Sequence, residues 1–327
     1  MKYSYFPGCS LEKNAAAYDV STRAVCKPLG IDLVEIEDWN CCGATEYISL
    51  NLLASYSLIA RNLAQANKNI GVDQVVAPCS ACYLNLRKTD KYMHESPDLS
   101  KKVNTALAAG GISYQPGSVK IKHLLDVVVN DVGYDTIQAK VTRPLNGLRI
   151  APYYGCMIVR PEFGASAGNG KPLDNTEYPM ILDKLLQVLG AEVVDFPLKA
   201  HCCGGHMTQI SESTGFEMIR QIVKGASDYN ADLIVTLCPM CQLNLDAFQG
   251  GMNRHFKTSF QMPVLYFTQM IGLAFGMDAK ALGIGDELVN ARSALAKIGV
   301  EVPEPETPKQ KRPTKEELPM PHMPKEG

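Results

Sequence analysis

Long apolar runs, a surplus of charge of either sign and a complete nucleotide fingerprint are all missing from these 327 residues. The most apolar stretch, Pro263 to Met277, is interrupted by Thr268 and Gln269. The opening Met-Lys-Tyr-Ser-Tyr-Phe-Pro carries no sustained apolar run, so neither a membrane span nor a signal peptide is expected. A formal net charge of -2 leaves no electrostatic footprint for nucleic acid or an anionic membrane. Gly164 to Lys171 is glycine-rich, but Pro172 stands where a phosphate-binding loop needs Ser or Thr, and the segment reads as an inserted loop. No flavin or nicotinamide fingerprint is visible. The expectation is a cytoplasmic chain whose 46% hydrophobic content suffices for two cores of ordinary size.

Cysteine is what the chain has in quantity. Ten of its eleven cysteines fall into two copies of one pattern. The first copy is Cys9, an interval of 31 residues, the pair Cys41-Cys42, an interval of 36, then Cys79-Ser80-Ala81-Cys82. The second is Cys156, 45 residues, Cys202-Cys203, 34 residues, then Cys238-Pro239-Met240-Cys241. Gly43 and Gly204 follow the pairs, so Cys-Cys-Gly occurs twice. Cytoplasmic thiols are kept reduced, and regular spacing there reads as metal ligation rather than disulfides. Each set holds five thiols, one more than a zinc ion or a cubane iron–sulfur cluster takes from protein.

The repeat extends beyond the cysteines. Tyr3 to Gly8 answers to Ile150 to Gly155, Leu29 to Val34 to Leu189 to Val194, and Asp73 to Pro78 to Asp232 to Leu237. A further apolar pair, Lys120 to His123 and Pro263 to Tyr266, closes the halves. The runs Leu33 to Ile36, Val75 to Ala77, Val193 to Phe196 and Leu233 to Leu237 are apolar and largely β-branched, as buried parallel strands are. Between them, Leu52, Tyr56, Ile59, Leu63 and Ala66, and again Met218, Ile222, Gly225 and Ala226, recur at helical spacing. Alternating strand and helix predicts an α/β fold of two pseudo-symmetric, Rossmann-like parallel βαβ domains. Their expected extents are 1–146 and 147–290, with a Pro-rich extension over 291–327.

On that framework Cys9, Cys41-Cys42 and Cys79 come at or just after strand carboxyl ends, as do Cys156, Cys202-Cys203 and Cys238. Ligands bind outside those ends in open parallel sheets, so the five thiols of a half can converge. Residues after Cys79 and Cys238 should begin helices, whose N-termini favour anionic ligands. Glycines beside Cys9, Cys42, Cys156 and Cys203 would let backbone approach bulky sulfide. Structural zinc accounts for the two Cys-x-x-Cys motifs but leaves the Cys-Cys pairs unexplained. Cys26, outside both sets, is expected in a core. His201 and His206 flank the second pair, as donors to sulfur or substrate or as solvated loop residues.

The two Cys-Cys-Gly motifs, their order and the small α/β halves resemble the B-type component of heterodisulfide reductase, within the wider Cys-Cys-Gly domain family. The likeness runs from about Lys2 to about Gly285. The resemblance implies two noncubane [4Fe-4S] clusters, one held by Cys9, Cys41, Cys42, Cys79 and Cys82 and the other by Cys156, Cys202, Cys203, Cys238 and Cys241. It further implies a disulfide substrate bound between the clusters and cleaved by two one-electron transfers. The partners it implies are a small ferredoxin-like subunit and, behind it, a flavin-containing one. Two other roles known in that family stay open: sulfur oxidation on a protein-bound dithiol, and pure electron transfer in a complex oxidising lactate, glycolate or succinate.

The first half keeps the family's intervals and the second departs from both. Its long interval contains Phe163 to Thr176, a loop placed to line a substrate cleft after Cys156. An anionic disulfide would need cations there, and Lys13 and Arg160, at equal offsets after Cys9 and Cys156, are candidates. His206 is a third candidate near the chemistry. Glu301 to Gly327, with seven prolines and no apolar periodicity, is expected to lie as an arm over a neighbouring subunit.

Overall fold

The computed structural model describes residues 1–44, 46–68, 72–159 and 173–304. Strands β1 (Lys2–Tyr5), β2 (Asp32–Glu35), β3 (Gln74–Ala77) and β4 (Lys120–His123) form one sheet in the order β2-β1-β3-β4. Strands β5 (Arg149–Tyr153), β6 (Glu192–Val193), β7 (Leu233–Thr236) and β8 (Val264–Tyr266) form a second in the matching order β6-β5-β7-β8. Every pairing is parallel. The expected pseudo-symmetric α/β architecture is therefore present. Central strands are apolar on both faces, as in the fully buried Leu-Ile-Val-Thr of β7, whereas edge strand β2 is half-exposed.

The helices follow most of the spacing read from the sequence, with Leu52 exposed and Met218 and Gly225 half-buried as the departures. Helix α1 (Ala16–Cys26) follows β1, α2 (Leu52–Ala66) leads into β3, and α3 (Ser80–Glu95) follows it. Asn51 caps α2 by accepting the Ala54 N–H at 2.9 Å, and Tyr56, Ile59, Leu63 and Ala66 form its buried face. In the second half α4 (Ile181–Val188), α5 (Glu212–Asp228), α6 (Pro239–Ala247) and α7 (Phe267–Ala274) complete the set. Among the described residues no helix is long and apolar enough to cross a membrane. Cys26 is buried in the core.

The halves pack reciprocally. Helix α1 lies against α7, where Ser21 and Thr268 hydroxyls meet at 2.7 Å, and Tyr134 of the first half donates to the Ile181 carbonyl at 3.0 Å. Tyr18 of α1 inserts deepest. Its ring stacks on Tyr266 at 4.1 Å with 3° between planes, and its hydroxyl donates to the carbonyls of Pro78 at 3.0 Å and Leu237 at 3.2 Å. Those carbonyls immediately precede Cys79 and Cys238. Beyond residue 290 the chain still packs, with Ala294, Leu295, Val300 and Val302 buried; residues from 305 on, which hold most of the expected arm, lie outside the described residues.

Tyr18→Phe keeps the stack but removes a donor from two buried carbonyls. The expected cost is about 1–3 kcal/mol, seen as a lower urea midpoint at unchanged m. An unchanged midpoint would show that the hydroxyl contributes nothing to the junction.

Candidate metal centre

In each sheet the first strand lies between the second and third, so successive crossovers leave it in opposite directions and open a crevice at the carboxyl ends. Cys9 and Cys79 follow the two strands flanking that crevice, and Cys156 and Cys238 follow their counterparts. The Cys-Cys-Gly loops, after β2 and β6, close over it. Cys79 and Cys238 each occupy the N-cap of a helix, α3 and α6, at the positive end of the helix dipole.

The structure brings the expected thiols together. Cys9 Sγ lies 3.5 Å from Cys41 Sγ, and Cys42 Sγ lies 3.3 Å from Cys82 Sγ. In the second half Cys203, Cys238 and Cys241 lie close enough to shift one another's ionisation. Across the junction, Cys79 and Cys238 do the same to each other. Each set thus runs from a buried inner end at that contact to an outer end, exposed at Cys9 and half-buried at Cys156 and Cys202. Among the described residues no three His, Cys, Asp or Glu side chains are disposed around a single metal ion, so the thiols are spread.

Charge within the sets is shared through sulfur. Hydrogen bonds from Cys42 and Cys9 hold Cys41 far below the ordinary thiol range. Hydrogen bonds from Cys241 and Cys79 do the same for Cys238, helped by backbone N–H groups of Cys241 and Met240. The donors move the other way: Cys42 is pushed up to about 11, first by its bond to Cys41. Backbone adds further donors, since Gly43 N and Gly204 N approach Cys41 Sγ and Cys202 Sγ, both at 3.4 Å.

Two glycines act as cradles. A Cβ on Gly8 would lie 2.8 Å from Cys82 Sγ and one on Gly155 2.9 Å from Cys241 Sγ, and both residues have left-handed φ, 77° and 68°. The same contact arises in both halves, which fits a group wedged between the strand-end loop and the Cys-x-x-Cys helix. Five-thiol donor sets, inward N–H groups and these cradles suit a multi-iron cluster.

The remaining candidates divide. Lys13 is exposed, His201 is exposed and His206 is half-buried ahead of the short helix Met207–Ile210. Arg160 and most of the Phe163 to Thr176 loop lie outside the described residues. A cleft of about 520 Å³ opens onto Cys9 and Cys41, lined by Glu12, Glu35, Glu37, Asp38 and Trp39 and, among the described residues, by no lysine or arginine. Glu35 pairs with Arg23 and Asp38 with Arg61 behind this lining, so the mouth is only partly acidic, where an anionic substrate called for cations.

Three features went unread in the sequence. His123, at the end of β4, is fully buried beside the junction; its Nδ1 accepts the Leu125 N–H at 3.0 Å, and burial pushes its pKa down to about 4. Lys199 and Asp183 form a buried ion pair at 2.9 Å, with Tyr154 donating to the same carboxylate at 2.5 Å. The Lys199 carbonyl accepts the N–H groups of Tyr154 and Gly155, so the pair anchors the approach to Cys156. The signal was Asp183 within the apolar stripe of α4. The third is an asparagine following each Cys-x-x-Cys.

Residues 3–87 and 150–246 match the CCG cysteine-rich domain family. The chain is similar to the 8-methylmenaquinol:fumarate reductase membrane anchor subunit of Wolinella succinogenes, 34% identical over 89% of this chain and 98% of that one. A protein of Archaeoglobus profundus, named for its likeness to the B-type component of heterodisulfide reductase, is 30% identical over 87% of this chain and 94% of its own. The corresponding B-type component of the ferredoxin/F420H2-dependent CoB-CoM heterodisulfide reductase of Methanosarcina acetivorans is 28% identical over 91% and 97%. Among solved structures, a hypothetical protein from Helicobacter pylori superposes with a TM-score of 0.68 at 13% identity. That likeness covers 88% of this chain and 52% of the other, and it shows the fold alone.

Gly155→Ala should strain the backbone by about 1–2 kcal/mol and push the new methyl into Cys241. Iron should then be lost from the second set only, and Gly8→Ala should empty the first. Full iron content in both variants would show that neither glycine cradles a bound group.

Proposed function

We propose, for a chain that belongs to the CCG family of cysteine-rich domain proteins, the role of double-cluster iron–sulfur subunit in a multisubunit, cytoplasm-facing oxidoreductase. Cys9, Cys41, Cys42, Cys79 and Cys82 would hold one noncubane [4Fe-4S] cluster, and Cys156, Cys202, Cys203, Cys238 and Cys241 the other. Bound there, the clusters would supply one-electron chemistry. The observation that carries the reading is the Tyr18 hydroxyl shared by the carbonyls before Cys79 and Cys238, which brings the inner ends of the two cysteine sets to one place and supports electron passage from one half to the other.

The chain's own groups support that passage. Tyr18 ties together the carbonyls before Cys79 and Cys238, holding the inner ends at fixed separation. Burial of Cys42, Cys79, Cys82, Cys203, Cys238 and Cys241 keeps water from most of the donor set, while exposed Cys9 marks one place for electrons to enter or leave. The ferredoxin-like and flavin-containing partners expected from the resemblance would supply those electrons.

Two readings of the terminal acceptor stand. Relay within an organic-acid complex is favoured by the Wolinella relative's name and by the partly acidic mouth at Cys9, which suits docking of a basic partner better than an anionic disulfide. Exposed apolar residues beside the Cys-Cys-Gly loops, Leu50 at 82% and Ile210 at 80%, also suit a protein held against a larger assembly. Reduction of a disulfide between the clusters is supported by the archaeal relatives' names and by the completeness of both sets.

Anaerobically prepared protein should carry roughly eight irons with matching sulfide. Stoichiometric zinc with little sulfide would end the cluster reading. With reduced viologen and a panel of disulfides, the relay reading expects no turnover by the isolated chain. Turnover abolished equally by Cys42→Ala and Cys203→Ala would instead establish disulfide chemistry, because one remaining cluster supplies one electron at the bond.

A further inference from the structure

The internal repeat continues one helical turn past the last cysteine of each set. Cys79-Ser80-Ala81-Cys82-Tyr83-Leu84-Asn85 answers to Cys238-Pro239-Met240-Cys241-Gln242-Leu243-Asn244. Three residues along a helix return to the same face, so each asparagine projects from α3 or α6 on the side of the second cysteine of Cys-x-x-Cys. Asparagine is a poor helix-interior residue, since its side chain competes for backbone groups. Here both are buried, at 5% and 3% exposure, and both reach out of their helices.

What they reach is the Cys-Cys-Gly loop. After each cysteine pair the backbone takes two left-handed residues, Gly43 and Ala44 with φ 75° and 42°, and Gly204 and Gly205 with φ 96° and 52°. Two carbonyls, two residues apart, then turn to one side. Asn85 Nδ2 donates to Cys42 O at 3.1 Å and Ala44 O at 2.6 Å. Asn244 Nδ2 donates to Cys203 O at 3.3 Å and Gly205 O at 2.7 Å. An amide nitrogen carries two hydrogens, which matches two acceptors. In the second half the same nitrogen also lies 3.5 Å from Cys203 Sγ.

We propose that Asn85 and Asn244 are positioning residues of the two clusters, each clamping its Cys-Cys-Gly loop to the Cys-x-x-Cys helix so that cysteines from both segments face one bound group. The inference rests on the cluster reading and deepens it. Ala44, in a conformation L residues rarely hold, shows that the loop does not take this shape by backbone preference alone. The clamp supplies the missing constraint, and its repetition in two diverged halves separates it from an incidental core contact. Asn244 has a second role, since the hydrogen it directs at Cys203 O is shared with Cys203 Sγ, and a hydrogen shared with a ligand sulfur favours the more negative, reduced cluster and raises its potential.

The test uses the full chain, prepared anaerobically, with iron and sulfide counts, electron paramagnetic resonance and redox titration of each cluster. Asn85→Asp turns a carboxylate oxygen towards two carbonyls and should reduce iron from roughly eight to roughly four, leaving the second cluster's signal intact. Asn244→Asp should do the converse. The milder Asn244→Ala should shift the second cluster's potential downwards and alter its signal while the first stays unchanged. Unaltered iron, signals and potentials in the alanine and aspartate variants would overturn the inference, as would equal loss of both clusters from either single variant. A wild-type protein without iron would instead sink the cluster reading itself, so the two failures are distinguishable.

Discussion

Thiols that meet in pairs within each set cannot all be anions unless positive charge lies among them, and this electrostatic constraint governs both halves of the molecule. At sulfur separations near 3.5 Å, a second thiolate beside the first is costly in any medium drier than water. The protein meets the constraint part-way: neighbouring thiols push Cys41, Cys203 and Cys238 below the ordinary thiol range, while neighbouring thiols and burial push Cys9, Cys42, Cys79, Cys82 and Cys241 above it. Helix N-termini and loop N–H groups supply partial positive charge and no more. Complete ionisation of such a set requires metal cations, and binding them must release protons. Strand ends, left-handed glycines and helix caps all place sulfur where that exchange can occur.

The two-fold frame is shared, but the surroundings of the two sets differ. Around Cys9 and Cys41 stand Glu12, Glu35, Glu37 and Asp38, with Arg23 paired to Glu35 and Arg61 to Asp38, so much of that negative charge is matched. Behind Cys156 the buried Lys199–Asp183 pair is neutral overall and stiffens the backbone rather than charging the site. Removing one member of such a pair would leave the other charge unmatched, at about 3–5 kcal/mol. The Asn244 contact with Cys203 Sγ has no counterpart in the first half among the described residues, so the two sets differ in their hydrogen bonding as well.

The architecture was legible because its causes are local. β-branched runs and a repeat marked by cysteine were enough to place three of the four strands read as runs, β2, β3 and β7, within a residue, whereas the fourth, β6, is only Glu192–Val193. Pairwise approach of thiols from separate strand ends was legible too, since strand carboxyl ends define a crevice. Tyr18, His123, Lys199 and Asp183 were not, because each acquires its role only through a partner far along the chain, as Tyr18 does with Leu237. Asn85 and Asn244 were readable in principle: extending the repeat by three residues shows the match. The partly acidic mouth was hidden because Glu35, Glu37 and Asp38 face Cys9 only once β2 lies beside β1.

The junction explains why two domains rather than one are needed. A single βαβ half could build a five-thiol set from its own strand ends, but its inner cysteine would face solvent. Packing the second half against it buries Cys79 and Cys238 against each other and places Tyr18 across both approaches. Apolar residues on α1 and α7 stabilise that packing, and the same contact sets the spacing of the two inner sulfurs. Domain association and electronic contact are therefore one structural variable: a shift that loosens the Tyr18–Tyr266 stack also separates the sets. Because electron transfer weakens steeply with separation, the proposed relay would depend on interface side chains such as Tyr18 that lie outside both cysteine sets.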